Sequence, residues 1–156
     1  MRTAEQWLTE YGVSHRNPTN KSLHWICVPI IVWCAFGLLW MAPFPAELRN
    51  ALPAANWAST AALAVVVYYA FLSPRLGLGV LPVFILMLWS IDEVQRNAPL
   101  PLWVLCGALF VLAWIGQFIG HAIEGRRPSF FKDLQFLLIG PLWLLADFYR
   151  RAGIRY

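Results

Sequence analysis

The 156-residue chain is 60% hydrophobic and only 13% charged, with a mean hydropathy of +0.58 and a formal net charge of +4. A soluble domain carries about a quarter charged residues, so these figures exclude an ordinary water-soluble globule and indicate a single-domain integral membrane protein. Its basic residues flank apolar runs and form no basic stretch interleaved with aromatics, which suits a lipid bilayer surface and excludes a nucleic-acid partner.

Residues 3–12 predict a short helix lying on the membrane interface, with Trp7, Leu8 and Tyr11 on one face. The start, MRTAEQWLTEYGVSH, lacks the pattern of a cleaved secretory signal. HRNPTNKS (15–22) follows, with a turn at Asn17-Pro18 and Thr19 or Asn20 as the helix cap. LHWICVPIIVWCAFGLLWMAPF (23–44) is long enough to cross a bilayer, which takes about 20 residues. Pro29 sits in its first turns, where a kink is tolerated.

FPAELRNALPAAN (44–56) reads as a loop, and NWASTAALAVVVYYAFL (56–72) as a shorter, uncharged second span. SPRLG makes a tight connection to the third run, LGLGVLPVFILMLWSI (76–91). DEVQRNAPLP (92–101) is a polar loop before the fourth run, LWVLCGALFVLAWIGQFIG (102–120), and HAIEGRRPSFFKD (121–133) is another. The last apolar piece, LQFLLIGPLWLLADF (134–148), is broken by Gly140-Pro141 and short for a span. It reads as a re-entrant or interfacial hairpin. The expected architecture is all-α: one integral membrane helical bundle over residues 1–156, with about four transmembrane helices plus re-entrant or interfacial helices.

The charges orient this bundle. Arg2, Arg16 and Lys21 precede the first span; Arg126, Arg127 and Lys132 follow the fourth, and Arg150, Arg151 and Arg155 close the chain. The intervening loops hold Arg49, Arg75 and Arg96 singly. Four spans with both termini cytoplasmic place the basic clusters on one side, provided that 134–148 does not cross.

The same topology brings His15, His24 and His121 to that cytoplasmic interface. Glu124 lies three residues beyond His121, on the same helix face. Three imidazoles and a carboxylate form a first shell suited to Fe(II), Zn(II) or Mn(II). Singly, each residue has a plainer reading: an interfacial histidine is an amphipathic anchor, Glu124 a solvated cap, Arg126 and Arg127 basic anchors. The convergence of every histidine on one side favours the site. Asn17, Asn20 and Lys21 can donate hydrogen bonds to a substrate, and Arg126 and Arg127 can grip a carboxylate. Gln117, one turn before His121, can orient a ligand or water from behind the site. Cys27, Cys34 and Cys106 lie inside apolar runs and read as small buried hydrophobes.

HRNPTNKSLHWICVP (15–29) and QFIGHAIEGRRPSFFKD (117–133) together resemble the paired signatures of the 2-hydroxy fatty acid dioxygenase family. The likeness runs from about Tyr11 to the LIGPLW segment. It implies Fe(II)-dependent α-oxidation, in which a 2-hydroxy fatty acid and O2 give the fatty acid one carbon shorter and carbon dioxide. Carried onto this chain, it makes His15, His24 and His121 iron ligands or site histidines, and Glu124 a further ligand or supporting residue. Fungal members act in the endoplasmic reticulum on phytosphingosine breakdown. The expected setting here is that membrane or a bacterial-type inner membrane, with the histidine face cytoplasmic and an oligomer left open. Cys27 stands where the family pattern His-x-x-Gly-x-Pro has glycine, which alters helix approach near His24 but removes no ligand. Two rivals stand beside this reading: a zinc-dependent membrane lipid hydrolase, separable by O2 dependence, and a non-catalytic lipid-binding scaffold. A transporter fits poorly, because ionisable residues at mid-depth are scarce.

Overall fold

The computed structural model describes residues 2–125 and 130–156. The described residues form seven α-helices: α1 (Ala4–Gly12), α2 (Pro18–Met41), α3 (Ala46–Ala51), α4 (Trp57–Leu72), α5 (Pro74–Asn97), α6 (Leu102–Glu124) and α7 (Phe130–Arg151). Local chemistry starts most of them. Thr3 and Gln6 make a reciprocal capping box for α1, and Asn56 with Ser59 does the same for α4. The cap of α2 is Asn17, not Thr19 or Asn20: its side chain accepts from the Thr19 amide, and Pro18 takes the first helical position. Ser73 ends α4 and caps α5 at once, so the tight connection is a single residue.

Four expectations about loops and breaks give way. Residues 44–56 contain the short helix α3. Residues 92–97 continue α5, because Asp92–Arg96 and Glu93–Asn97 pair across one turn, at 2.7 and 2.6 Å. Helix α6 runs past Gly120 to Glu124 and stops at Gly125, whose φ of 72° gives the left-handed cap. Residues 134–148 do not fold into a hairpin: α7 passes through Pro141 as one helix. Proline forfeits one backbone bond there, and Gly140 serves close packing, since a Cβ on it would lie 3.1 Å from the Tyr11 hydroxyl.

Among the described residues three helices, α2, α5 and α6, are long and apolar enough to cross a membrane. Helix α4 is apolar but has 16 residues, about 24 Å of rise. The burial pattern adds buried polar side chains and an apolar outer surface to an apolar core. Asn20 and His24 are 0% and 1% exposed, whereas Phe71 is 83% and Leu112 64% exposed on the outer surface. Such a belt of outward-facing apolar side chains suits lipid.

Helix α2 is central. It packs most extensively on α6 and also touches α4, α5 and α7. Gly116 of α6 lets the two backbones approach; a Cβ there would sit 2.6 Å from Cys27 Sγ. Trp33 of α2 donates to the Ser90 hydroxyl of α5 at 2.8 Å. Helix α7 lies across the bundle end at which α2 begins. Its Leu138 carbonyl accepts from the Tyr69 hydroxyl near the end of α4, Gly140 meets Tyr11 and Val28, and Leu145 and Tyr149 reach Gly79 early in α5. With α1, it roofs the histidines.

Candidate metal centre

The loop between α1 and α2 is short because α1 ends at Gly12 and Asn17 already caps α2. Within it, the His15 amide donates to the Gly12 carbonyl at 3.1 Å, turning the side chain inward to 4% exposure. The ring stacks on Tyr11 with centroids 4.1 Å apart and an interplanar angle of 8°. Trp143 of α7 closes another side, its ring centroid 5.5 Å from that of His15. His24 follows two turns into α2, and His121 occupies the last turn of α6. Their ring centroids are 5.2 Å apart, and His15 lies 4.2 Å from His24 and 5.5 Å from His121. One nitrogen from each of the three rings falls within 4.8 Å of the others.

Two backbone carbonyls set the tautomers. His15 Nδ1 is 2.7 Å from the Tyr11 carbonyl oxygen, and His24 Nδ1 is 2.9 Å from that of Asn20. A carbonyl only accepts, so each Nδ1 carries the hydrogen and each Nε2 of a neutral ring presents a lone pair. Those two Nε2 atoms face each other at 2.9 Å. Two lone pairs at that distance repel unless a cation lies between them. Burial pushes the His15 pKa down to about 4, while its bond to the Tyr11 carbonyl pulls the other way. At neutral pH the pair therefore has no ready proton to share, and a metal ion could satisfy it. Imidazole bonds of about 2.1 Å put ligand nitrogens about 3 Å apart when they meet at right angles and about 3.4 Å apart in a tetrahedron, so a donor pair 2.9 Å apart is close to the octahedral spacing. The Nδ1–H···O=C bonds are the orienting contacts that metal-bound histidines use.

Glu124, expected among the metal ligands, lies beside this cluster with its carboxylate turned to the loop. Oε1 accepts the Arg16 amide at 2.9 Å, and Oε2 accepts the Asn17 amide at 2.9 Å and Asn20 Nδ2 at 3.1 Å. Asn17, expected at a substrate, has its side-chain oxygen committed to capping α2. Asn20 is fully buried, donating to Glu124 and to the Ser14 carbonyl. Lys21 is half-buried in the first turn of α2. Gln117 is buried one turn before His121, and its Nε2 has no hydrogen-bond partner among the described residues. Gly120 packs on Asn20 and Gly116 on Cys27, so Gln117, between them on α6, is level with His24 on α2. Arg126 and Arg127 lie outside the described residues.

Sequence reasoning missed the aromatic walls. Tyr11 was legible as one face of α1, and its spacing of four from His15 was the available signal; Trp143 carried none.

The profile of the family described as 2-hydroxy-palmitic acid dioxygenase, Mpo1-like, matches residues 1–152. A curated relative, the 2-hydroxy-palmitic acid dioxygenase MPO1 of Saccharomyces cerevisiae, is 29% identical over 147 residues, covering 92% of this chain and 78% of its own length. No solved structure matches the chain.

Proposed function

The chain belongs to the Mpo1-like 2-hydroxy-palmitic acid dioxygenase family, and from that premise we propose that it converts a long-chain 2-hydroxy fatty acid and O2 into the acid one carbon shorter, carbon dioxide and water. The observation that carries the site assignment is the pair of His15 and His24 Nε2 atoms, 2.9 Å apart with both Nδ1 hydrogens committed to carbonyls. His15, His24 and His121 would hold Fe(II), which supplies the capacity to activate O2.

The protein's own residues do the rest. The Tyr11 and Asn20 carbonyls hold the two imidazoles in the metal-binding tautomer. Tyr11 and Trp143 wall off the loop side of His15 and limit water there. Gln117 offers its amide hydrogens, which no described residue accepts, to a substrate oxygen, level with His24 and one turn from His121. The acyl chain extends from there among the apolar faces of the bundle.

Helix α4 acts as a short fourth span beside α2, α5 and α6, with α1 and α7 on the membrane surface. Arg16, Lys21, Arg75, Arg150, Arg151 and Arg155 then gather at the histidine end, against Arg49 and Arg96 at the other. The positive-inside rule makes the histidine end cytoplasmic, in a bacterial-type inner membrane or the endoplasmic reticulum.

The test is elemental analysis of purified protein, with turnover of 2-hydroxypalmitate assayed in air and under anaerobic conditions. Expected are one iron per chain, O2-dependent release of the shortened acid, and loss of both metal and turnover in His121→Ala. Turnover that persists without O2 overturns the proposal in favour of a zinc hydrolase; no turnover and no metal leaves a lipid-binding scaffold.

A further inference from the structure

The last turn of α6 ends on two functional-looking side chains, and only one of them faces the imidazoles. Glu124 is the final residue of the helix, with Gly125 beyond it in the left-handed conformation. A carboxylate at a helix C-terminus lies at the unfavourable end of the helix dipole. Here it is turned to the start of α2 instead, where backbone amides point outward and a negative charge is favoured. Both oxygens are engaged: the Arg16 and Asn17 amides each donate at 2.9 Å, and Asn20 Nδ2 donates at 3.1 Å. Charge-assisted bonds of this kind are among the stronger ones in proteins.

Each of these contacts leads to a histidine. Arg16 is bonded directly to His15 in the chain. Asn20 joins Glu124 through its side chain and receives His24 Nδ1 on its backbone carbonyl at 2.9 Å. Its amide also donates to the Ser14 carbonyl at 3.2 Å, on the other side of His15. Glu124 itself is one turn from His121. A single carboxylate therefore ties together the three segments that carry the imidazoles, across more than 100 residues of sequence.

We propose that Glu124 is a positioning residue: it clamps the His15 loop and the first turn of α2 onto α6, setting the spacing of the three histidines without bonding to the metal. This rests on the metal-binding reading above. Loss of an orienting partner of this kind typically weakens metal binding about 10–100-fold.

The experiment is titration of the purified, metal-stripped full chain in detergent with Co(II), a spectroscopically visible stand-in for Fe(II), following the ion's visible absorption. Wild type, Glu124→Gln, Glu124→Ala and His121→Ala are compared. Expected is a weakening of about 10–100-fold in Glu124→Ala and less in Glu124→Gln, which keeps one acceptor oxygen and the same shape. At saturation both should show the wild-type spectrum, because the ligand set is unchanged; His121→Ala should not. A saturated Glu124→Gln spectrum that differs in band position or intensity makes Glu124 a ligand and overturns the proposal. Unchanged Co(II) affinity in both Glu124 variants overturns it as well. Wild type that binds no Co(II) overturns the metal reading itself, a result distinct from the other two.

Discussion

Helix α6 contains a matched pair of glycines that tests the packing beneath the site. At Gly120 an added Cβ would press into Asn20 Oδ1, 3.4 Å from Asn20 Cγ and 3.5 Å from Leu23 Cδ1. A free side chain would swing away at little cost, but Asn20 is fully buried and tethered by bonds to Ser14 and Glu124. Overpacking costs about 1–3 kcal/mol, and losing the bond to the charged carboxylate adds about 1.5–3 kcal/mol. Helix propensity returns about 1 kcal/mol on replacing glycine with alanine. Gly120→Ala should therefore destabilise the protein by roughly 1.5–5 kcal/mol. Gly107, on the same helix, has no described residue's atom within 4 Å of the corresponding position, so Gly107→Ala should stabilise by about 0.5–1 kcal/mol. Thermal unfolding in detergent reads both, at about 2–4 °C per kcal/mol for a chain near this size. Gly120→Ala should also lower bound metal, and Gly107→Ala should not. Equal midpoints for the two variants would refute the α2–α6 register on which the site geometry rests.

Gln117→Leu removes a buried donor that has no partner among the described residues, so stability should hold or rise by about 1 kcal/mol while turnover of the 2-hydroxy acid falls; a destabilised variant with wild-type turnover would exclude the substrate contact. His24→Leu relieves the facing lone pairs, so the metal-free variant should melt no lower than metal-free wild type. Added Fe(II) at 100 times its Kd should stabilise only the wild type, by about 2.7 kcal/mol, which anaerobic thermal scans with and without the ion would show. His15 has its folded pKa lowered from 6.5 to about 4, so the unfolded chain binds the proton first. Stability of the metal-free protein is then greatest above pH 6.5 and falls as pH drops toward 4, by up to about 3 kcal/mol. His15→Phe should flatten that slope in unfolding measurements across the interval.

Local physics made much of the helix inventory readable. Asn17-Pro18 marks the turn into α2, although the cap is Asn17 itself rather than Thr19 or Asn20, and the long apolar runs place α2, α5 and α6. The same reasoning failed where a local signal met a tertiary contact. Gly140-Pro141 looks like a break, yet α7 continues because Gly140 fits against Tyr11 and Val28. The polar residues 92–97 and 121–124 look like loop, yet pairings across one turn and a distant loop keep them helical. Asn17 and Asn20, read as substrate contacts, also carry structure: Asn17 Oδ1 caps α2, and Asn20 Nδ2 donates to the Ser14 carbonyl and the Glu124 carboxylate.

Composition and periodicity alone establish an all-helical chain in a lipid setting, because both depend on neighbours within a few turns. Histidine position suggests a metal, because the topology brings His15, His24 and His121 to one side of the bundle. Which atoms face that metal is decided by the register of α2 against α6. Gly116 on Cys27 and Gly120 on Asn20 set that register between residues about 90–100 positions apart. No local pattern encodes such a spacing. Only the packed bundle turns the Nε2 atoms of His15 and His24 toward each other and swings Glu124 to the loop amides, since the choice depends on which buried groups would otherwise lack a partner.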